Sequence, residues 1–408
     1  MSGSQIELGS GVGERKVKPT LLLVIPSITS YFTFLEELCV YLKEEGWDVH
    51  LATDPRHIAA IDCYKRAVIG TIHAVGIPRG MKIRQHWRAS RALRQVVKEV
   101  RPDVIHIHFS SAIFATALSG LSRDAPVIGT VHGTNSPLTR GIFKWVLRAA
   151  EFFAFRQLDF LYVLNMSDIV YIRKWHLTKD VRTYKSMGLG CRLDVFNSEK
   201  YPRDVQEKKR SELGLGQDTF IFIFIGRRTQ FKGFALTVRA YLGFAKSVPD
   251  SRLILVGEKD PLHATGLTTF EEKLLAESVN ILDIGWCETV AEYLAISDVN
   301  VFPSEREGMP VNLMESLAMG IPVITIDSRG CNEVVRDGVD GIVLQGTRTL
   351  EHVAPNALCD AMMRLYENRN ELKKMSQNAV ARRNSFSREK WVEEQVAIYK
   401  GIVALPRA

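Results

Sequence analysis

Long apolar runs are missing from this sequence of 408 residues. A helix that spans a bilayer needs roughly 20 consecutive apolar residues, and no stretch approaches that length. Residues 1–17 are polar and rich in Gly and Ser, so they lack the apolar core of a secretory signal, and we expect them to form a disordered tail. These absences argue against an integral membrane protein and predict a cytoplasmic one.

Paired cysteines are missing as well. The six cysteines are scattered, with neither a C-x-x-C pair nor the His spacing of a zinc site: Cys39, Cys63, Cys191, Cys287, Cys331 and Cys359. Such usage is typical of a reduced compartment. We therefore expect no disulfide framework and no structural metal.

The chain has an excess of basic residues, with 53 Lys and Arg against 46 Asp and Glu and a net charge of +7. Such a charge attracts nucleic acids, anionic membranes or anionic small substrates. Nucleic-acid modules interleave basic residues with base-stacking aromatic side chains, and the sequence has no such array. The charge therefore favours the phosphates of substrates or lipids, and we expect no nucleic-acid partner.

Short β-branched runs alternate with helical stretches, which is the pattern of parallel sheets covered by helices on both faces. The first half contains predicted strands over 20–26, 49–53, 71–75, 104–107, 127–131 and 160–164, with helical spacing over 34–45 and 86–100. The second half contains predicted strands over 220–226, 252–257, 279–284, 299–303, 321–326 and 341–344. The sequence therefore predicts an α/β fold of two doubly wound, Rossmann-like domains.

The two predicted halves are joined by a charged stretch over 201–216, which we interpret as a linker with a short helix. Ligands of doubly wound sheets bind outside the carboxyl ends of the strands. Two such sheets in tandem place two rows of strand ends near each other, so the natural site is the cleft between the halves.

The most informative stretch covers 303–323 and reads P-S-E-R-E-G-M-P-V-N-L-M-E-S-L-A-M-G-I-P-V. Glu307 lies in a loop and Glu315 on the helix that follows, with Pro310 at a first helical position and Gly320 at a left-handed stop. The start of a helix favours a phosphate, and the two carboxylates can accept hydroxyls on either side of it. This chemistry suits a nucleotide-sugar. The alternative is a structural corner with two exposed glutamates.

A basic loop follows the first predicted strand of the second half and reads G-R-R-T-Q-F-K-G over 226–233. Gly226 allows the backbone to approach a ligand closely, and Arg227 and Lys232 can converge on a diphosphate. Each charge-assisted contact contributes about 1.5–3 kcal/mol. Positive charge there also stabilises a departing nucleoside diphosphate without a divalent metal. Taken alone, such a loop is more often a solvated turn.

Together, the two motifs resemble the donor site of the retaining glycosyltransferases of family 4, which have the GT-B fold of two Rossmann-like domains facing a cleft. The resemblance covers roughly residues 18–402. It implies an acceptor-side domain over 18–200 and a nucleotide-sugar donor domain over 201–387. It also implies that a last helix, over 388–402, crosses back to the first domain.

The resemblance implies a role for each motif residue. Glu307 would hold the donor sugar, and Glu315 would accept both ribose hydroxyls, a task that its two oxygens suit. Arg227 and Lys232 would clamp the diphosphate, and His132 would face the reacting sugar from the other domain. The remaining donor-binding positions would be Gly226, Gly308, Met309, Pro310 and Val311. A His after a strand is otherwise an ordinary hydrogen-bonded residue, so this alternative stays open for His132.

The same resemblance implies transfer from a nucleoside diphosphate sugar, with UDP favoured, with retention at the anomeric carbon and without a metal or other cofactor. The first loop, 26–32, lacks the paired glycines of many members, and 328–333 reads S-R-G-C-N-E. In these features the chain resembles members that build lipid-linked oligosaccharide, capsule or the O-antigen of lipopolysaccharide. The expected acceptor is therefore lipid-linked or a saccharide, reached at the inner face of the plasma membrane.

Two basic segments could contact an anionic membrane. Residues 140–156 combine Arg and Lys with Trp145, Phe152, Phe153 and Phe155, as in helices that lie on a bilayer. The alternative is a helix docked on its own domain. The second segment, 79–94, could meet the pyrophosphate of a lipid carrier or could be a solvated face.

Two other functions remain open from the sequence. Nucleotide-sugar 2-epimerases share the fold but need further acid and base residues and no acceptor, and the paired glutamates argue against them. A non-catalytic nucleotide-binding scaffold in polysaccharide assembly would not need all four of Arg227, Lys232, Glu307 and Glu315. We therefore predict a glycosyltransferase.

Overall fold

The structure is a computed structural model that describes residues 18–54, 70–78, 80, 82–120, 125–261, 263–345, 350–354 and 356–404. The predicted tail lies outside these residues, as does Arg79 at the start of the second basic segment. Within the described ranges, the chain forms two parallel sheets with helices packed on them. This confirms the predicted α/β fold.

The first sheet has seven strands among the described residues, in the order β3-β2-β1-β4-β5-β6-β7. They are β1 (Thr20–Val24), β2 (Asp48–Thr53), β3 (Thr71–Ala74), β4 (Val104–His108), β5 (Val127–Val131), β6 (Phe160–Val163) and β7 (Val181–Thr183). Alternate side chains of β1 join different cores: Leu22 and Val24 pack on one face, and Leu21 and Leu23 on the other. The strand is thus apolar throughout because both of its faces are covered.

The helices of this half are α1 (Ile28–Phe34), α2 (Glu36–Glu44), α3 (Ile83–Val100), α4 (Ser110–Ser119), α5 (Ile142–Phe155) and α6 (Met166–Lys174). The helix predicted over 34–45 corresponds to α2 but begins at Glu36, because the chain breaks at Leu35 (φ −124°) and Phe34 belongs to α1. Asn165 caps α6 by accepting a hydrogen bond from the Asp168 amide at 2.8 Å.

The second sheet has six strands among the described residues, in the order β10-β9-β8-β11-β12-β13. They are β8 (Ile221–Ile225), β9 (Arg252–Val256), β10 (Ile281–Gly285), β11 (Val299–Val301), β12 (Val323–Ile326) and β13 (Gly341–Leu344). Its helices are α7 (Arg203–Glu212), α8 (Phe234–Ala245), α9 (Thr269–Glu277), α10 (Val290–Ala295), α11 (Val311–Ala318), α12 (Cys331–Val334), α13 (Ala357–Glu367) and α14 (Arg369–Ala381).

In each sheet, the chain runs outward from a central strand in one direction and then in the other. The direction changes between β1 and β4 in the first sheet and between β8 and β11 in the second. Ligands of such sheets bind at the carboxyl ends of the strands where this change occurs. The loops after β4, β8 and β11 are therefore the places to look for a site.

The last helix, α15 (Arg388–Val403), packs on the first half of the chain against α2. Its buried side chains join the core that contains Leu21 and Leu38: Trp391, Val392, Val396, Tyr399 and Ile402. The two ends of the described chain therefore share one hydrophobic core.

Candidate active site

Lys232 and Glu307 form an ion pair at the carboxyl edge of the second sheet. Lys232 ends a short 3-10 turn after β8, and Glu307 lies in the loop between β11 and α11. Lys232 Nζ donates to Glu307 Oε1 at 2.5 Å, and Ser304 Oγ donates to the same oxygen at 2.6 Å. The second oxygen, Oε2, accepts no hydrogen bond from the described residues. Glu307 is thus fixed through one oxygen and offers the other to a ligand.

Glu315 lies on α11, half-buried, and its carboxylate accepts no hydrogen bond from the residues that the structure describes. Burial raises the pKa of this carboxyl to about 7, and the nearby Arg388 charge offsets only part of that rise. A buried carboxylate without donors is unfavourable, because nothing replaces the water that it has lost. Two hydroxyl donors from a ligand would remove that cost.

The turn into α11 differs by one residue from the sequence prediction. Pro310 precedes the first helical residue, Val311, because its φ of −74° suits a helix while its ψ of 115° is extended. Gly320 adopts the left-handed conformation predicted for it, with φ 77°. The glutamate therefore projects from the second turn of a short helix that begins immediately after the Glu307 loop.

The basic loop after β8 directs its side chains to different carboxylates. Arg227 pairs with Asp260, with the arginine half-exposed, whereas Lys232 pairs with Glu307. Arg228 is buried between them, where it pairs with Asp283 and its Nε donates to the Gly257 carbonyl at 2.8 Å. Arg227 and Lys232, the two predicted clamp residues, thus form ion pairs with different carboxylates. A bound diphosphate would have to compete with both carboxylates for these cations.

Gly226 begins this loop and lies against Gly257, the residue that follows β9. A Cβ on Gly257 would lie 2.2 Å from the Gly226 carbonyl oxygen, so the loops after β8 and β9 are in direct backbone contact and position 257 requires glycine. The main chain of the basic loop continues this contact, since the Arg228 amide donates to the Glu258 carbonyl at 2.8 Å.

His132 follows β5 of the first sheet and lies in an aromatic and imidazole cluster. Its ring stacks on Phe109 with centroids 4.0 Å apart, and its Nε2 lies 3.1 Å from Nδ1 of His108. Burial lowers the pKa of His132 to about 3, so the ring is neutral. Burial also lowers the pKa of His108, so both rings are neutral and one of the two facing nitrogens donates to the other. The sequence assigned no role to His108, and the structure makes it the partner that orients His132.

The main chains of the two halves touch beside His132. A Cβ built on Gly308 would lie 2.4 Å from the His132 carbonyl oxygen, so no larger residue fits there without movement. Asn165 Nδ2, at the start of α6, donates to the Gly308 carbonyl at 2.8 Å. On the other side of the loop, a Cβ on Gly330 would lie 2.4 Å from the same carbonyl oxygen.

Met309 continues this contact. It packs against the hydrophobic cores of both halves, and a Cβ on Gly188 would lie 2.7 Å from its Cγ. Gly188 has φ 54°, a conformation that glycine adopts without strain. The loop that carries Glu307 is therefore enclosed by residues from both halves of the chain.

Arg329 ties the two halves together and was not predicted as a site residue. Its Nε donates to the Glu307 carbonyl at 2.9 Å, and its Nη1 donates to the Thr134 carbonyl at 2.9 Å and to Asp168 at 2.8 Å. Asp168 is only 1% exposed. The sequence singled out 328–333 for its resemblance to a subgroup, and this was the signal that could have drawn attention to Arg329.

The described residues contain no group of three or more His, Cys, Asp or Glu side chains that could hold a metal ion. None of the helices in the described part of the chain combines the length and apolar character needed to cross a membrane.

Comparison with known proteins gives consistent matches along the chain. Residues 32–175 match the family model described as Glycosyltransferase Family 4, and residues 205–382 match the model described as Glycosyl transferases group 1. EpsD of Bacillus subtilis (strain 168), a glycosyltransferase by name, is 26% identical over 88% of this chain and 90% of its own.

Two further proteins are similar. The UDP-Gal:alpha-D-GlcNAc-diphosphoundecaprenol alpha-1,3-galactosyltransferase of Escherichia coli is 26% identical over 65% of this chain and 68% of its own. The solved structure of Alr3699/HepE of Anabaena, in complex with UDP and glucose, superposes with a TM-score of 0.71. That match has 16% identity and covers 94% of this chain and 99% of that one, so it shows the fold alone.

Proposed function

This chain belongs to the glycosyltransferases of family 4 and has the GT-B fold, and from that premise we propose that it moves a sugar from a UDP-sugar to a lipid-linked or polysaccharide acceptor with retention of configuration. One observation carries the proposal. The unpaired carboxylate of Glu315 and the Lys232–Glu307 pair lie along one loop and helix start, which meets the first half of the chain at His132.

These groups match the parts of a nucleoside diphosphate sugar. The ribose diol donates to the two oxygens of Glu315, and a sugar hydroxyl donates to Glu307 Oε2. The diphosphate lies between them, against Lys232 and Arg227. Because Lys232 is already paired with Glu307, the bound diphosphate shares this cation with the carboxylate.

The residues support attack by the acceptor on the same face from which the diphosphate leaves. Lys232 and Arg227 stabilise the charge that develops on the departing diphosphate, and neutral His132 offers a hydrogen bond to the sugar from the other half of the chain. A diphosphate oxygen accepts the proton of the acceptor hydroxyl. Magnetic resonance of the glycosidic product tests retention, and an inverted anomeric centre would overturn this mechanism.

The names of similar proteins support the choice of donor and acceptor. The Escherichia coli relative is named for UDP-Gal as donor and a sugar linked to diphosphoundecaprenol as acceptor, and the Anabaena structure was solved with UDP and glucose. We therefore propose UDP-sugars as donors and polyprenyl-diphosphate-linked sugars as acceptors, in the assembly of a surface polysaccharide such as capsule or lipopolysaccharide.

Calorimetric titration with UDP, GDP and ADP is the first test of the donor site. We expect selective binding of UDP that Glu315→Ala weakens at least tenfold, with no effect of Glu367→Ala on the exposed end of α13. Failure of all three nucleotides to bind would overturn the proposal. Incubation of the UDP-sugar without acceptor provides a second check, because conversion to an epimer would identify a 2-epimerase.

A peripheral position on an anionic membrane is part of the proposal. Helix α5 buries Ala154 and Phe155 in the core of the first domain. The helix is therefore docked on its own domain, which was the alternative interpretation of this segment. Its first turn leaves Ile142 (73% exposed), Phe143 (65%) and Trp145 (57%) largely exposed to solvent. Basic side chains flank these residues, as in helices that lie in the headgroup region.

Sedimentation with liposomes tests the membrane contact. We expect binding to vesicles that contain phosphatidylglycerol and much weaker binding to neutral vesicles, with loss of binding in a Phe143→Ser, Trp145→Ser double variant. Phe270→Ser changes an equally exposed aromatic residue on the second domain and serves as the matched control. Equal sedimentation of the variants would contradict the assignment.

A further inference from the structure

We propose that a cavity in the first domain binds the start of the hydrocarbon chain of a lipid-linked acceptor. The cavity has a volume of about 150 Å³ and lies between α3, α4 and α5. Its apolar wall is formed by Ile83, Phe114, Leu147, Ala150, Ala154 and Phe155. The inference rests on the proposed function, because it names the acceptor's chemical class, and it concerns residues that lie outside the donor site.

The polar end of the cavity lies close to the site where sugar transfer is proposed. Ser110 lines it and directly follows Phe109, whose ring stacks on His132. Asn135 lines it as well and comes three residues after His132. A molecule that fills the cavity therefore reaches the carboxyl edge of the first sheet, where the acceptor hydroxyl must be presented.

The carboxylate at the floor of the cavity, Glu151, receives its hydrogen bonds from the protein itself. Glu151 accepts hydrogen bonds from the amides of Asn135 and Ser136 at 3.1 and 3.3 Å and from Ser136 Oγ at 2.5 Å. The carboxylate therefore needs no cation or donor from a ligand. The surface that remains for a ligand is the apolar wall.

His86 adds a point of polar recognition in the wall. Its Nε2 bonds to the Gly80 carbonyl at 2.9 Å, which makes Nε2 the donor and leaves Nδ1 as an acceptor. Nδ1 is buried and has no partner, although the ring packs edge-to-face on Phe114 with centroids 5.1 Å apart. A ligand that fits both features is amphipathic, with a hydrocarbon part and a hydroxyl donor, as in a lipid-linked sugar.

An apolar path connects the cavity with the proposed membrane face. Phe153 is exposed on α5, and its ring lies 6.2 Å from that of Phe114 in the cavity wall. Ile83, on the α3 side, lines the cavity and is also exposed. Arg84 and Arg88 are exposed on the same helix, where they can attract the phosphate of a lipid headgroup.

The volume of the cavity limits how much of the hydrocarbon chain it can hold. An apolar cavity of about 150 Å³ can accommodate a six-membered hydrocarbon ring. The cavity therefore takes the first few carbons beside the headgroup, and the rest of the chain stays in the membrane. Each methylene lost from an apolar site lowers affinity about fourfold, so loss of two or three lowers it at least about tenfold.

The test measures binding of dodecyl phosphate and farnesyl phosphate, each below its critical micelle concentration, by calorimetry. Ala150→Phe fills the cavity, and Ala149→Phe adds the same group to the exposed face of α5 as the matched control. We expect at least tenfold weaker binding to Ala150→Phe than to the unmodified chain, no change in Ala149→Phe, and no binding of inorganic phosphate at the same concentrations. The probe that binds more tightly indicates whether the hydrocarbon chain of the acceptor is a straight alkyl chain or an isoprenoid.

Several results would overturn the inference. These are absence of binding to the unmodified chain, equal affinities of the two variants, or equal binding of inorganic phosphate. Leu147→Trp provides a second filled cavity if Ala150→Phe does not fold. UDP binding, measured on the same samples, separates this inference from the proposed function. If the unmodified protein binds UDP but neither lipid phosphate, only the cavity proposal is rejected. If the unmodified protein does not bind UDP, the donor site is rejected.

Discussion

At the scale of single residues, Glu315 is the clearest case of a carboxylate that accepts no hydrogen bond from the described residues. Its carboxyl has a pKa of about 7 because burial disfavours the charged form. In the folded protein, the ordinary value of 4.5 is thus shifted upward. Hydroxyl donors favour the charged form, so we expect the ribose to lower this pKa again.

The first prediction concerns stability. As pH rises from 4.5 to 7, Glu315 ionises in the unfolded chain but stays neutral in the folded one. The free energy of unfolding of the wild type therefore falls by up to about 3 kcal/mol. We expect Glu315→Gln to raise the unfolding temperature at pH 8 and to leave it unchanged at pH 5. Calorimetric unfolding at both pH values measures this, with exposed Glu367→Gln as the control. A stabilisation that is independent of pH would contradict the charge argument.

The second prediction concerns ligand affinity. UDP-glucose has no phosphate that titrates near neutral pH, in contrast to UDP, whose terminal phosphate has a pKa of roughly 6. We therefore expect UDP-glucose to bind about tenfold more weakly at pH 6 than at pH 8, with release of a proton on binding near pH 7. Titration in buffers of different ionisation enthalpy measures the proton. Glu315→Gln should abolish the pH dependence, and its persistence there would assign it to another group.

The third prediction separates Lys232 from its partner. Lys232→Ala removes the cation and leaves the Glu307 carboxylate facing the diphosphate, so UDP should bind about 10- to 150-fold more weakly, from a loss of about 1.5–3 kcal/mol. Glu307→Gln releases Lys232 from its ion pair, so UDP should bind at least as tightly, while kcat with the sugar donor falls. Calorimetry with UDP and steady-state rates measure both. Equal loss of UDP affinity in the two variants would contradict a shared cation.

Local motifs contain the residues of the proposed donor site but not all the partners of those residues. Glu307, Glu315 and Lys232 lie in short motifs whose spacing around a loop and helix start reflects their chemistry. Arg329 and His108 make their contacts with residues far away in the chain, so no local pattern contains them. Such contacts are decided by how the two sheets pack, and that information is not present in local spacing.

At the scale of elements, each strand of the two described sheets except β7 had a predicted counterpart, edge strands β3, β10 and β13 included. Runs such as 20–24 and 221–225 are apolar throughout because both faces of a parallel strand are covered. The edge strand β7 has the residues Val-Arg-Thr, of which two are exposed, so it carries no such signal. The break at Leu35 was also missed, because the helical spacing predicted over 34–45 included that residue.

Helix α15 depends on one buried arginine at its first turn. Arg388 donates to the Gly190 carbonyl at 3.0 Å from Nη2, and its Nη1 donates to the Phe34 carbonyl at 3.2 Å and to Glu37 at 3.3 Å. Burial lowers the pKa of this guanidinium, but its partners keep it in place. Arg388 thus joins the start of α15 to α2 and to the segment that leads into the second domain.

The fourth prediction follows from these bonds. Arg388→Met keeps the length of the side chain and leaves buried carbonyls and Glu37 without their donor, so we expect a loss of about 3–5 kcal/mol of stability. Thermal unfolding should show a fall of several degrees. Arg203→Met removes an exposed ion pair within α7 and should have almost no effect. Equal effects of the two changes would show that α15 is held by its apolar face alone.

At the scale of the whole molecule, residues of both domains meet at the loop that carries Glu307. Gly308 allows the backbones to touch, and Arg329 bonds to Glu307 in one domain and to Thr134 and Asp168 in the other. Lys232 and Glu315, which we propose to bind the nucleotide, both belong to the second domain. Domain contact should therefore affect catalysis more than nucleotide binding.

The last prediction tests this separation with Arg329→Ala, which leaves the buried Asp168 with Thr134 and Asn165 as donors but without its cation, and so favours opening of the cleft. We expect a larger radius of gyration by X-ray scattering and a kcat that falls at least tenfold, while the Kd of UDP changes by less than about threefold, because a loss of about 1.4 kcal/mol in closure is a tenfold loss of closed molecules. Arg329→Lys should restore kcat only in part, since an ammonium cannot reproduce the forked bonds of a guanidinium. Arg336→Ala, at an exposed position nearby, controls for charge. If the Kd of UDP rose as steeply as kcat fell, Arg329 would act on the donor site itself, and domain closure would not be the quantity that it controls.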